Sequence, residues 1–377
     1  IIYLFVNLSY IFKKRSTFSL FQVIKWGLFA QFEQLPFTLN QRKLTMSFSH
    51  KLLTGLVTAG LVLGSSLIAL PSWAADKVTL RMSCPCTETD LRSQGLQNVF
   101  AAKVSSFADY QPHYNATLFK QGTELTAIAR GNLEMSITSA QELAKLIPDW
   151  SVFTAGYLLR DADHQRKVFT SDIGKEFFQM AEDKLGVKLL GVMYFGKRHL
   201  NLRTDKKVMT PDDMAGVKLR MPGTDAWQFL GKALGANPTP MAFTEVYTGL
   251  QTGAIDGQDN PLPTDKDKKF YEVTKQIILT GHLADMNFLA LSKKAWDGMT
   301  AAQQDQLQRA ANDAMMVISI NVESQEALLE DFFRNEGLQV YTPNVDAFRK
   351  RAQEMYLASD FSKEWPKGVV ERVNAIR

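Results

Sequence analysis

The sequence predicts an α/β protein of two lobes that face each other across a cleft, with a long C-terminal helix spanning both. Strand-like and helix-like segments alternate after residue 75, and a second, similar alternation begins near residue 210. A single helical pattern then occupies residues 300 to 337. The length of 377 residues exceeds that of an ordinary single domain, which also favours two lobes.

The first alternation predicts three strands and two helices. Apolar and β-branched runs predict the strands, and apolar residues at helical spacing predict the helices. The expected elements are a strand at 78–82, a helix at 91–107, a strand at 114–119, a helix at 124–129 that Gly131 closes, and a strand at 133–137. This βαβαβ order predicts a mostly parallel sheet.

The second alternation begins at Thr210-Pro211, where an N-cap residue and a proline at the first helical position are followed by Asp213. The expected elements are a strand at 217–221, a helix at 224–234, a strand-like segment at 238–241, a helix through 246–250 that Gly253 ends, and a strand that begins at 255. Both lobes therefore share one order of elements.

In each lobe, small polar residues lie at the end of a strand that follows a short helix. In the first lobe these are Thr138 and Ser139, and in the second lobe they are Gln258, Asp259 and Asn260. Ligands of open α/β sheets bind at this kind of strand end. Two such edges that face each other predict a ligand cleft.

The C-terminal helix is expected to tie the lobes together. Thr300 and Gln303 form a capping-box pattern, and Gly337 ends the helical periodicity. A helix of this span is about 50 Å long, which exceeds the width of one small domain. The alternative is two helices broken near Asn321. The expected lobes are 75–197 plus 286–325 and 198–285 plus 326–377.

The N-terminal residues are interpreted as processing signals. Residues 46–74 contain a charged start, an apolar run and small residues before a cut at Ala75, which predicts a signal peptide and a periplasmic protein. An uncleaved membrane anchor is the alternative, although the apolar run is shorter than the roughly 20 residues of a membrane span. Residues 1–45 precede the internal Met46 and are interpreted as translated upstream sequence.

Composition argues against a nucleic-acid partner. The whole chain carries a formal charge of +4, but residues 1–74 hold seven Lys or Arg and one acidic residue. The remainder has 36 basic and 38 acidic residues, so it lacks the basic excess of a nucleic-acid-binding domain. No hydrolase, metalloprotease, phosphate-binding or dinucleotide motif occurs, so neither an enzyme nor a metal or other cofactor is expected.

The two cysteines, Cys84 and Cys86, are separated by one residue. A disulfide between them closes a very small ring, and no second pair of metal ligands accompanies them. They are expected to be unpaired cysteines without a dedicated role.

Arg220 stands at the end of an otherwise apolar strand and is followed by Pro222-Gly223 and a helix start. A guanidinium in that place suits a carboxylate, because its planar fork donates two parallel hydrogen bonds and the helix start favours an anion. Membership of a structural ion pair is the alternative for an arginine in this position.

Residues 214–261 resemble the solute receptors of tripartite ATP-independent periplasmic (TRAP) transporters of the DctP type. The resemblance rests on four ordered motifs, KLR-x-P-G, LGA-x-PTPM, EVY-x-GLQTG and DGQ-x-NP, and extends over about residues 78–340. It implies a two-lobed periplasmic-binding-protein fold that closes on a small organic acid, namely a dicarboxylate, keto acid or sugar acid. It also implies partners, the large and small membrane subunits of an ion-driven permease.

The resemblance also implies ligand-contacting residues. Arg220 matches the arginine that pairs with the substrate carboxylate, Asn260 the asparagine of the same cleft, and Arg198 a second basic contact on the hinge strand. Phe243 is expected to form an aromatic wall. The remaining candidate substrate-binding residues are Trp227, Ser139, Gln121 and Asn287.

The first lobe departs from the family pattern. Many members carry an acidic residue after the third strand, where this chain has Ile137-Thr138-Ser139-Ala140-Gln141. This difference argues against sialic acid as the ligand. The sequence is also compatible with two rival functions: an enzyme on the same scaffold, and a periplasmic receptor that reports an acid to a signalling system.

Overall fold

The computed structural model describes residues 77–377, so the predicted upstream segment 1–45 and the signal peptide 46–74 lie outside the described residues. These residues contain nine strands of one mixed sheet. The strands are β1 Val78–Ser83, β2 Ala108–His113, β3 Met135–Thr138, β4 Val187–Leu202, β5 Lys218–Met221, β6 Asn237–Pro240, β7 Gly257–Pro261, β8 Gln276–Ser292 and β9 Gln339–Tyr341.

The sheet has the order β2-β1-β3-β8-β4-β7-β5-β6, and β9 pairs with β8. The short strands within each half pair in parallel: β1 with β2 and β3, and β5 with β6 and β7. The two long strands β4 and β8 join the halves and pair antiparallel with each other and with β7 and β3. The alternating pattern indicated the parallel halves, but the long antiparallel strands make the sheet mixed.

Thirteen helices cover the sheet in the described residues. They are α1 Leu91–Gly95, α2 Ala102–Val104, α3 Glu124–Ala129, α4 Ala140–Ala144, α5 Ala162–Thr170, α6 Asp172–Leu185, α7 Asp225–Ala233, α8 Val246–Thr252, α9 Leu262–Asp267, α10 Lys293–Asp297, α11 Ala301–Asn335, α12 Val345–Leu357 and α13 Val369–Ala375. A π-helical segment, Leu96–Ala101, joins α1 to α2. Within residues 77–377, no helix combines the length and the apolar character of a membrane span.

Each half of the sheet has its own hydrophobic core. The larger core collects buried side chains of β1, β3, the π-helical segment and α6 and is centred on aromatic residues around Trp150. The second core contains Leu219 and Met221 of β5 together with Trp227 and Leu230 of α7. Since the two cores are separate, the halves are two lobes.

The lobe boundaries remain a prediction. The last helix, α13, packs Val369 and Val373 into the larger core, whereas Phe348 and Tyr356 of α12 pack into the second core. The residues after 326 therefore contribute to both cores.

The long helix α11 is continuous, as the capping pattern predicted, and no break occurs near Asn321. Thr300 accepts a hydrogen bond from Gln303 N, and the Gln303 side chain accepts one from Thr300 N. Its first half packs Leu307 and Ile318 into the larger core, while Phe333 joins a separate cluster with Leu262 and Ile277. The helix thus braces both lobes along its length.

One predicted strand is misplaced. The segment 114–119 forms turns, and the strand lies before it as β2, Ala108–His113. This strand is at the edge of the sheet, where proline and polar residues are tolerated because one side makes no ladder hydrogen bonds. Its sequence ADYQPH therefore lacks the apolar pattern of an interior strand.

The prediction that Cys84 and Cys86 are unpaired is wrong, because the structure joins them in a disulfide. The chain bends at Pro85, so their Cα atoms are 5.3 Å apart, within the range that a disulfide requires. The turn at residues 115–116 donates backbone hydrogen bonds to both cysteine carbonyls, Ala116 N to Cys84 and Asn115 N to Cys86. Spacing in sequence could not reveal this bend.

Candidate ligand-binding cleft

The cleft between the lobes contains all eight residues that the sequence predicted as ligand contacts. They enclose a cavity of about 60 Å³. The first lobe and the hinge strands contribute Gln121, Ser139, Arg198 and Asn287, and the second lobe contributes Arg220, Trp227, Phe243 and Asn260. Their roles in binding remain predictions, but the structure places them together.

Strand ends and helix starts position these side chains. Arg220 is opposite Gln258 in the parallel pairing of β5 with β7, so Asn260 follows on the neighbouring strand. Ser139 is the N-cap of α4 directly after β3, at the corresponding edge of the first lobe. The polar groups that follow the short helices therefore face each other, as the repeated order of elements predicted.

Arg220 is a buried guanidinium without a carboxylate partner among the described residues. Its Nε donates to the Met241 carbonyl at 2.9 Å, and its Nη2 lies 3.4 Å from Gln121 Oε1. Burial lowers the pKa of Arg220 to about 9. A buried cation is normally paired, so this site is complete only when an anion reaches the guanidinium. The ion-pair alternative for Arg220 is not what the structure shows.

Arg198 differs from Arg220, because its guanidinium is already paired. Its Nε contacts Asp259 Oδ2 at 2.7 Å, and its Nη1 contacts Asp285 Oδ2 at 2.8 Å. His282 Nε2 lies 3.0 Å from the same Asp259 oxygen. Burial acts to lower the pKa of Arg198, but the two carboxylates raise it. Arg198 therefore borders the cleft, but the carboxylates of Asp259 and Asp285 already neutralise its charge.

Arg92 is a third arginine of the cleft, and the sequence analysis missed it. It forms a two-point ion pair with Asp90, Nε to Oδ1 at 2.9 Å and Nη2 to Oδ2 at 2.7 Å, and donates to Asn287 Oδ1 at 2.8 Å. Its guanidinium lies over the Phe195 ring at 4.0 Å. The run Thr89-Asp90-Leu91-Arg92 has the polar composition of a surface turn, so no pattern indicated burial.

Aromatic side chains form two walls of the cleft. Trp227 lies under the Arg198 guanidinium at 4.5 Å from ring centroid to Cζ, and Phe243 lies 5.6 Å from the Arg220 Cζ. Both rings are buried. Such contacts exclude water from the arginines and strengthen their interaction with an anion.

Besides the contact of Arg220 with Gln121, further hydrogen bonds join the two lobes directly across the cleft. Gln121 Oε1 accepts a hydrogen bond from Phe243 N at 2.9 Å. Asp267, the last residue of α9, accepts from Thr87 Oγ1 and Thr89 Oγ1, both at 2.6 Å. The hydroxyls belong to the loop that follows the Cys84–Cys86 disulfide. These bonds hold the lobes together in the conformation described.

Two acidic residues of the cleft, Glu142 and Asp285, were also missed. Asp285 is the one charged residue in the apolar run from Leu283 to Ser292, and a lone charge within a buried strand could have identified it. Glu142 follows Ser139 by three residues, within the pattern of a capping box. Because a capping box indicates the start of a helix, the pattern gave no reason to expect that Glu142 also lines the cleft.

A second carboxyl, Glu124, is buried next to Glu142, and burial followed by the charge of Glu142 raises the pKa of Glu124 to about 8. A carboxyl whose pKa is raised on folding contributes stability that is complete below about pH 4.5 and disappears as the pH rises through 8. We expect the melting temperature of the protein to fall between pH 5 and pH 8, and to fall less in the Glu124→Gln variant.

Thermal unfolding of both proteins at several pH values checks this expectation. The glutamine keeps an oxygen that accepts the hydrogen bond from Thr123 N, now 3.0 Å from Glu124 Oε2. Parallel curves for the two proteins would show that Glu124 is ionised in the folded state.

The described residues hold no group of three or more His, Cys, Asp or Glu side chains placed to bind a metal ion. The cleft instead presents one unpaired guanidinium, amides and aromatic walls. Fold and site together define a two-lobed solute-binding protein whose cleft suits an organic anion.

The chain belongs to the DctP family, the bacterial extracellular solute-binding proteins of family 7, whose model matches residues 96–363. Members of this family are substrate-binding receptors of TRAP transporters, as the sequence resemblance implied.

Similarity to proteins of known structure or function is consistent with this family membership. A TRAP periplasmic solute-binding protein of Roseobacter denitrificans, solved with bound 3-deoxy-D-manno-oct-2-ulosonic acid (KDO), is 56% identical with a TM-score of 0.79, over 80% of this chain and 100% of that one. A Polaromonas protein bound to D-erythronate is 26% identical with a TM-score of 0.74, over 80% and 99%. The sialic acid-binding periplasmic protein SiaP of Vibrio cholerae is 33% identical over 236 residues, which are 63% of this chain and 73% of SiaP.

Proposed function

We propose that this protein is the periplasmic receptor of a TRAP transporter for a sugar acid, and that its ligand is an eight-carbon ulosonic acid of the KDO type. It binds the acid between its lobes and delivers it, chemically unchanged, to the membrane permease. The Roseobacter protein supports the ligand class, because it shares 56% of its residues with this chain and was solved with KDO.

The observation that carries the proposal is the unpaired guanidinium of Arg220. Arg92 and Arg198 also border the cavity, but Asp90, Asp259 and Asp285 already pair with them. Of the three guanidiniums that line the described cavity, only that of Arg220 is therefore available to a ligand carboxylate. A monocarboxylic acid satisfies this arrangement, whereas a dicarboxylate leaves its second charge without a partner.

The rest of the cavity suits hydroxyl groups. Gln121, Ser139, Asn260 and Asn287 line it with amide and hydroxyl groups that donate and accept hydrogen bonds. Asn260 Nδ2 donates a hydrogen bond to Gln258 Oε1, which fixes the orientation of the Asn260 amide. A buried site made for hydrogen bonds rejects analogues that lack the matching polar groups, because its own groups are then left unpaired.

Binding requires the lobes to separate. The cavity of about 60 Å³ holds a few water molecules, while an eight-carbon acid is several times larger. Gln121 Oε1 now lies beside Arg220 Nη2, so the ligand carboxylate takes the place of this amide oxygen. Hinge opening through β4 and β8, the two strands that cross between the lobes, provides the access.

Export and delivery complete the proposal. The predicted signal peptide 46–74 directs the chain to the periplasm. Large and small membrane subunits of a TRAP permease are the proposed partners, since the solved relatives are TRAP receptors.

Calorimetric titration of protein that has been freed of bound ligand by unfolding and refolding tests the ligand class. KDO is expected to bind more tightly than D-erythronate, sialic acid or succinate. At a concentration 100 times its dissociation constant, KDO should stabilise the protein by about 2.7 kcal/mol. Tighter binding of succinate, or no binding of any sugar acid, would contradict the proposal.

A further inference from the structure

The first-lobe wall of the cleft carries an acidic side chain that the family pattern did not predict at this position. Glu142 lies on α4 and borders the same cavity as Arg220 and Asn260. The sequence departs from the family in the segment 137–141, where many members have an acidic residue. The structure supplies a carboxyl group three residues later, on the same wall.

Hydrogen bonds hold Glu142 in one orientation. Its Oε2 accepts from Ser139 N at 3.0 Å and from Thr138 Oγ1 at 3.1 Å. Ser139 Oγ accepts in turn from Glu142 N at 3.2 Å, which completes the capping box. None of the hydrogen bonds or ion pairs within residues 77–377 uses Oε1, so this oxygen is free to accept from a ligand.

Glu142 and the neighbouring carboxyl of Glu124 share one pocket, where burial raises the pKa of both groups, that of Glu124 to about 8. The two side chains border a cavity of about 10 Å³, the size of one water molecule, together with Thr138 and Lys145. Glu124 Oε1 is buried without a hydrogen bond and Glu124 Oε2 accepts one from Thr123 N, whereas Glu142 Oε2 accepts two. Hydrogen bonds to a carboxylate favour its ionised form, so Glu124 takes up a proton first.

Carboxylates of the protein already neutralise the two other guanidiniums that border the cavity. Arg92 is paired with Asp90, and Arg198 with Asp259 and Asp285. Since Arg220 holds the first carboxylate, a second one reaches a wall that already carries negative charge.

We propose that Glu142 is the selectivity residue of this receptor: its Oε1 accepts hydrogen bonds from the hydroxyls of a sugar acid, and its charge excludes dicarboxylic acids. The inference rests on the proposed function, because Arg220 must anchor one carboxylate for the remainder of the ligand to reach Glu142.

The Glu142→Gln variant tests the proposal with three ligands: KDO, and the pair gluconate and glucarate, which differ by the second carboxylate. Wild type is expected to prefer gluconate over glucarate. The variant should bind KDO about tenfold more weakly and should lose at least fivefold of the preference for gluconate. Glutamine retains an oxygen for Ser139 N, and a melting temperature near that of wild type verifies the fold.

Glu245→Gln is the matched control. This exposed glutamate lies at the mouth of the cleft, outside the cavity, so its loss should change the gluconate preference by less than twofold.

Three outcomes overturn the inference. They are unchanged affinities in Glu142→Gln, an equal loss for all three ligands, or an equal change of the preference in the control. If wild type does not bind KDO but binds the gluconate and glucarate pair, the KDO assignment fails and the ratio still decides the role of Glu142. If wild type binds none of the three, the proposed function and this inference both fail.

Discussion

Replacing Arg220 with Met is expected to abolish high-affinity binding of the sugar acid while the ligand-free protein stays at least as stable as wild type. The guanidinium is buried and has no carboxylate partner in the described residues, so its charge costs stability until a ligand arrives. Methionine fills similar space without a charge. This variant therefore separates the effect of Arg220 on ligand affinity from its effect on the stability of the protein.

The loss of affinity should be large. Removing one partner of a buried, hydrogen-bonded charge pair costs about 2–5 kcal/mol, which corresponds to a loss of at least about thirtyfold. Titration calorimetry measures the binding, and thermal unfolding without ligand measures the stability.

Arg220→Lys provides the control for charge alone. Lysine keeps the cation but cannot donate two parallel hydrogen bonds, so we expect intermediate affinity. Wild-type affinity in Arg220→Met would show that the carboxylate binds elsewhere. A strongly destabilised Arg220→Met protein would show that the arginine has a structural role.

The second large effect concerns stability. Replacing Asp259 with Asn should lower the free energy of unfolding by about 3–5 kcal/mol, because it removes one partner of a fully buried ion pair. Asp259 accepts from Arg198 at 2.7 Å and interacts with His282 at 3.0 Å. Burial acts to raise the pKa of Asp259, but Arg198 and His282 lower it below its usual range. Urea unfolding at pH 7 measures the difference.

The pH dependence has a defined sign. A carboxyl whose pKa is lowered on folding contributes stability above its unfolded pKa, near 3.8, and this contribution disappears as the pH falls through the folded value. The gap between wild type and Asp259→Asn should therefore be complete at pH 6 and narrow below about pH 4.

Asp285→Asn is the matched control, since Asp285 contacts the same arginine at 2.8 Å but burial raises its pKa. Its replacement should cost less than that of Asp259. Equal costs for the two variants would show that both carboxylates are equivalent partners of Arg198.

Local patterns predicted much of the fold. The capping box at Thr300 located the start of α11, and Gly253 located the end of α8, because both signals depend on neighbouring residues alone. The edge strand β2 was misplaced, since an edge position relaxes the apolar pattern that identifies strands. The antiparallel pairing of β4 with β8 joins residues far apart in the chain, which no local pattern reports.

For the candidate site too, some features could be predicted from the sequence and others depend on tertiary contacts. Its place at the end of a strand made Arg220 a candidate, and the resemblance of the ordered motifs to the DctP type named Asn260 and implied an organic acid. Which arginine is free was decided by tertiary contacts: Asp259 and Asp285 pair with Arg198, and Asp90 pairs with Arg92. A charge is available to a ligand only when no neighbouring group neutralises it, and those neighbours come together only when the chain folds.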